Sequence, residues 1–156
     1  MPLIDPGHRA PAFTLKDADG AAHALSKLKG RPVVLYFYPR DSTPGCTKQA
    51  CQFRDVKKDL AAHDAAVFGV SPDDAKAHTK FSEKQGLNFP LLIDPDQTVA
   101  QQYGVWQDKS MYGKTYKGIV RTTYLIDAGG MVARRWDKVK VPKHVDQVVA
   151  ALKQLD

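Results

Sequence analysis

Residues 33 to 60 constrain the fold of this chain more than any other stretch. Val33 to Tyr38 is a continuous apolar run rich in β-branched and aromatic side chains, the pattern of a buried strand. Pro39 ends it, because proline has no N–H for the ladder. Thr43 suits a helix N-cap and Pro44 the first helical position. Ala50, Phe53, Val56 and Leu60 then recur at helical spacing. The segment predicts strand, short loop and helix, with Cys46 in the first helical turn.

That placement gives the two cysteines, Cys46 and Cys51, a chemical meaning. Unpaired N–H groups and the macrodipole at a helix start favour negative charge, and the thiolate is the nucleophilic form of cysteine. Five residues along a helix amount to about 7.5 Å of rise and roughly 140° of rotation, whereas a disulfide needs Cα atoms roughly 4.4–6.8 Å apart. The two thiols can therefore share an intact helix, but they can join only after it unwinds locally. Free cysteines are also common as small buried hydrophobes; the Pro39, Thr43, Pro44 setting argues for redox chemistry instead.

The stretch resembles the active-site motif P-x-x-x-T-x-x-C of the peroxiredoxins, matched by Pro39, Thr43 and Cys46. With Cys51 added, it is similar to the bacterioferritin comigratory protein, or peroxiredoxin Q, subfamily. Trp106 to Asp127 is similar to that subfamily's distal region and brings Arg121 to the position of its active-site arginine. The likeness runs from about Gly7 to the final helix. Gln49 stands where many members carry Glu, and Gln107 where Gly is common.

The resemblance implies a thioredoxin-like α/β sandwich over residues 1–156, a mixed central sheet flanked by helices with an N-terminal β-hairpin. It implies a peroxidase of hydrogen peroxide and organic hydroperoxides that needs no cofactor or metal. Cys46 would attack the peroxide, with Thr43 and Arg121 binding its oxygens and Pro39 shielding the site. The resulting sulfenic acid would condense with Cys51, and thioredoxin or a similar dithiol would reduce the disulfide. Without the motif, Arg121 reads as a surface arginine on an edge strand and Thr43 as an N-cap alone.

Composition bounds the remaining possibilities. A chain of 156 residues with 43% hydrophobic content can build one core. No apolar stretch approaches a membrane span, and the first residues lack signal-peptide features. A cytoplasmic protein is expected, where a disulfide is more often catalytic than structural. The net charge of +6 comes from scattered lysines and short pairs such as Lys57-Lys58, which points to solubility rather than nucleic-acid binding. The five histidines, His8, His23, His63, His78 and His144, show no ligand spacing.

Elsewhere, Ala12–Leu15 and Ala21–Leu25 flank a hairpin signal at Asp17 to Gly20. A strand is expected over Ala66–Val70, a helix over Asp73–Gln85, a strand at Leu91–Ile93 and a helix over Gln97–Tyr103. Gly118–Ile126 and Met131–Trp136 flank a second hairpin turn, Asp127 to Gly130. Val145, Val148, Val149 and Leu152 line one face of a last helix. Trp106, Tyr112 and Tyr116 can line the site mouth or cover a core edge. Two other classes compete with a peroxidase: a disulfide reductase, disfavoured because the cysteines are not in C-x-x-C, and a non-catalytic redox sensor or holdase. Both thiols lie in one chain on one local segment, so a monomer suffices for the cycle.

Overall fold

A computed structural model describes residues 2–155. In chain order the elements are β1 (Thr14–Asp17), β2 (Ala22–Ala24), a 3-10 turn (Leu25–Leu28), β3 (Val33–Phe37), α1 (Pro44–Asp55), α2 (Lys57–Ala62), β4 (Ala66–Ser71), α3 (Ala75–Gln85), β5 (Leu91–Ile93), α4 (Thr98–Gln102), β6 (Trp106–Met111), β7 (Lys114–Ile119), β8 (Thr122–Ile126), β9 (Val132–Trp136) and α5 (His144–Lys153). A seven-stranded sheet runs in the order β2-β1-β5-β4-β3-β8-β9, and β6 and β7 form a separate pair. β3, β4 and β5 are parallel, while β8 joins β3 antiparallel. The expected mixed sheet with an N-terminal hairpin is thus present.

β3 is buried at all five positions because both faces of the sheet are covered. Its alternation divides the core. Val33, Leu35 and Phe37 join Phe13, Val99 and Tyr103 on the side of the N-terminal segment and α4. Val34, Tyr36 and Tyr38 join Cys46, Phe53, Leu60, Phe81 and Val148 on the side of α1, α2, α3 and α5. Gly69 on β4 makes this second layer close: a Cβ there would stand 2.8 Å from the Tyr36 ring and hydroxyl. The ring stacks on Phe53 of α1 at 4.7 Å, so the helix that carries both cysteines lies directly on the central strands.

Both predicted hairpin turns close through an aspartate. Asp17 Oδ1 accepts from the amides of Asp19 and Ala21, and Asp127 Oδ1 from those of Gly129 and Met131. Two expectations are corrected. The helical spacing from Ala50 to Leu60 is divided at Val56 into α1 and α2. There the carbonyl of Arg54 accepts from Asn88 Nδ2 at 3.2 Å, a tertiary bond that competes with helix continuation. The expected strand Gly118–Ile126 breaks between Ile119 and Thr122. The Val120 amide donates to the Val105 carbonyl in continuation of the β6 and β7 register, and the Arg121 carbonyl accepts from the Val139 amide, so the chain leaves one ladder before it enters the next. Among the described residues, no helix is long and apolar enough to cross a membrane.

Candidate active site

α1 begins one loop after β3, and that loop sets the site. Thr43 occupies the N-cap position with extended backbone, but its side chain caps no amide of α1. Its Oγ1 donates instead to the Arg40 carbonyl at 2.9 Å. The helix therefore starts with Pro44 and no side-chain acceptor over its first turn, where the backbone favours an anion. Cys46 sits in that turn and is 1% exposed. Pro39 is half-buried at the end of the strand, beside the buried Tyr38.

Arg121, immediately before β8, faces the thiol. Its Nη2 lies 3.2 Å from Cys46 Sγ, and its Nη1 donates to Gln49 Oε1 at 2.6 Å. Gln49 is fully buried, one helical turn beyond Cys46. Its amide orientation follows from Arg121, which can only donate. Gly45 leaves room for the guanidinium: a Cβ there would come within 3.2 Å of Nη2. Of the residues predicted for the site, Cys46 and Arg121 are thus in contact, and Thr43 and Pro39 flank the start of the helix. Cys51 is half-buried further along the same unbroken helix, with Sγ 3.5 Å from Gln85 Oε1. Both cysteines are free thiols.

Several polar residues around the loop and helix had no local sequence signal. Asp41, in the loop before α1, accepts from Tyr38 OH and pairs with His78 Nδ1, each at 2.5 Å. His78 Nε2 donates to the Leu92 carbonyl at 2.9 Å, and the Asp41 amide donates to Asp73 Oδ2 at 2.7 Å. Burial opposes a charge on His78, but the hydrogen bond and charge of Asp41 outweigh it and raise its pKa. His144, at the start of α5, bonds Thr123 Oγ1 at 2.8 Å. Burial, and then the charge of Arg121, push its pKa down to about 4. Lys109 on β6 lies over Gly118, where a Cβ would be 3.0 Å from its Cδ. Its pKa is lowered by burial and then by Arg121. These pairs are brought together by sheet order; Asp41 and His78, for example, are 37 positions apart.

Comparison with known proteins places this geometry. Residues 6–135 match the AhpC/TSA family. The chain is 46% identical to the peroxiredoxin Bcp of Bacillus subtilis over 97% of each chain, and 45% identical to that of Escherichia coli over 99% of each. It superimposes with a TM-score of 0.90 on the bacterioferritin comigratory protein of Xanthomonas campestris, a structure concerned with alkyl peroxide reduction. That match is 40% identical and covers 96% of this chain and 98% of the other. The chain belongs to the AhpC/TSA family of thioredoxin-fold peroxiredoxins, and within it the similarity is to the Bcp and peroxiredoxin Q group.

Proposed function

We propose that the protein is a thiol peroxidase that reduces hydrogen peroxide and organic hydroperoxides through Cys46. The observation that carries this reading is the Arg121 guanidinium, 3.2 Å from Cys46 Sγ at the start of α1. In the first step the thiolate attacks one peroxide oxygen. The O–O bond breaks, sulfur gains the oxygen as a sulfenic acid, and the departing alkoxide or hydroxide takes up a proton. Arg121 supplies fixed donors for charge developing on the peroxide, with Gln49 holding its other nitrogen. The Thr43 hydroxyl spends its proton on the Arg40 carbonyl. Its lone pairs therefore remain to accept from the protonated peroxide oxygen. Pro39 limits access of bulk water.

In the second step the Cys51 thiol attacks the Cys46 sulfenic acid; an S–S bond forms and water leaves. An external dithiol, by family likeness thioredoxin, exchanges with that disulfide and restores both thiols. The whole cycle needs one chain and no cofactor, which favours a monomer. A reducing compartment such as the cytoplasm suits two free thiols.

Rapid mixing with peroxide tests the division of labour. Cys46→Ser should consume none. Cys51→Ser should keep the first oxidation, accumulate the sulfenic acid and lose turnover with thioredoxin. Equal loss of the first oxidation in both variants would refute the assignment.

A further inference from the structure

Two separate ties bind the cysteine helix to the rest of the fold, and both end on α3. Upstream of Cys46, the loop is held by the buried Asp41 and His78 pair, itself anchored to Tyr38, Asp73 and the Leu92 carbonyl. Downstream, the tie is lighter and lies nearer solvent. Gln85, the last residue of α3, accepts from Cys51 Sγ through Oε1 at 3.5 Å and from Arg54 Nη1 through its main-chain carbonyl at 2.5 Å. Asn88 Nδ2 donates back to the Arg54 carbonyl at 3.2 Å. Gln85 and Arg54 are only half-buried and Asn88 is exposed.

We propose that Gln85 is a positioning residue for Cys51. Its side chain and carbonyl hold the last turns of α1 on α3, and release of this tie controls when Cys51 leaves the helix for Cys46. The inference rests on Cys51 being the resolving thiol.

The chemistry of the two ties differs in a way that fits the roles. The Asp41 and His78 contacts involve no atom that changes in the cycle. They hold the loop fixed while the helix beyond it opens. The Gln85 side-chain contact needs the Cys51 S–H. When Cys51 condenses with the sulfenic acid, that hydrogen leaves in the water, and Gln85 loses its donor. The tie is therefore present with the reduced thiol and absent from the disulfide. While it holds, the sulfenic acid waits and is open to a second peroxide. That peroxide adds one oxygen to give a sulfinic acid and leaves as alcohol or water. A stronger tie thus means slower resolution and more over-oxidation.

The test separates the two kinetic phases in one experiment. Gln85→Met keeps the length of the side chain and removes the acceptor. Arg54→Met removes the donor to the Gln85 carbonyl. Each variant is mixed with excess peroxide, following the peroxide-dependent phase and the later peroxide-independent phase, with the sulfinic acid fraction read by mass spectrometry. In both, the first phase should stay within twofold of wild type. The second should accelerate about fivefold or more, and the sulfinic fraction should fall. An unchanged or slower second phase in both, or a change shared equally by both phases, overturns the proposal. Cys51→Ser in the same assay keeps the two readings apart. If it retains the second phase, Cys51 is not the resolving thiol, whatever Gln85 does.

Discussion

Arg121 reaches Cys46 across 75 positions of sequence, and it does so with one nitrogen on the sulfur and another on Gln49. The guanidinium fork is used at both prongs, so the pair of contacts depends on its shape as well as its charge. A lysine retains the charge but presents a single point with rotatable donors. Arg121→Lys should lower the second-order rate with peroxide by about 10²-fold or more, on the order of 3 kcal/mol, as when one oxyanion donor is removed. A rate within threefold of wild type would show that the fork is dispensable.

Gly45 offers a substitution whose effects on stability and activity should part. It is the second residue of α1 and has no positive φ, so alanine there stabilises by roughly 0.4–1 kcal/mol through the lower entropy of the unfolded chain. Its new methyl would meet Arg121 Nη2 at 3.2 Å and push the guanidinium aside. Gly45→Ala should therefore unfold at an equal or higher temperature while its peroxide rate falls several-fold. Thermal melts and stopped-flow rates on the same preparation check both halves. A variant as fast as wild type would mean that Arg121 accommodates the methyl without losing its aim.

Oxidation should loosen α1. The helix is unbroken from Pro44 to Asp55 with both cysteines as thiols, and a disulfide between them cannot be made on that backbone. Amides from Gly45 to Phe53 should exchange faster with deuterium in the disulfide form and recover protection on reduction. The Asp41 and His78 side of the loop should be protected equally in both states. Equal protection throughout α1 in the two redox states would imply that Cys51 pairs by another route, such as between chains.

His144 sets an acid limit on stability. Its folded pKa is about 4, against roughly 6.5 in an unfolded chain. Below pH 6.5 the unfolded chain takes up a proton that the folded protein refuses. Stability should fall by up to about 1.4 kcal/mol per pH unit from there down to about pH 4, on the order of 3 kcal/mol in all. His78 acts with the opposite sign: its raised pKa gives stability that is fully present below 6.5 and lost as pH rises through the folded value. Urea denaturation at pH 7 and pH 5 should show a smaller acid loss in His144→Gln than in wild type. The same loss in both would assign it to other groups.

The contrast between what the chain's pattern foretells and what it hides has a physical cause. Val33 to Tyr38, Pro39 and the Thr43-Pro44 start are local signals, and the strand, loop and helix start formed where they put them, although the Thr43 hydroxyl caps no amide. Cys46 was legible from its helix-start setting and Arg121 only through motif likeness; spacing alone left Arg121 as a surface residue. The break at Val56 and the split at Val120 and Arg121 were not legible, because both depend on tertiary partners, Asn88 for the first and Val105 and Val139 for the second. His78 and His144 looked bland for the same reason. Asp41 and Thr123, which give them meaning, lie 37 and 21 positions away. The β6 and β7 hairpin was missed because Asp108, Lys109 and Ser110 give it no apolar alternation to read.

The ladder of β8 against β3 runs Phe37 to Thr122, Tyr36 to Thr123 and on to Val33 opposite Ile126. Arg121 is the residue just before that ladder, and side chains alternate across a sheet with a period of two. The reach of Arg121 to Cys46 is therefore a matter of counting from Ile126 backwards. The hairpin before it, paired only with itself, is under no such count. Insertions or deletions at Tyr112 and Gly113 should leave peroxide chemistry intact. A single residue added between Arg121 and Thr123 would turn the arginine to the far face and leave a folded protein with an idle thiol. In this fold the reading frame of one strand decides whether the guanidinium and the thiol meet at all.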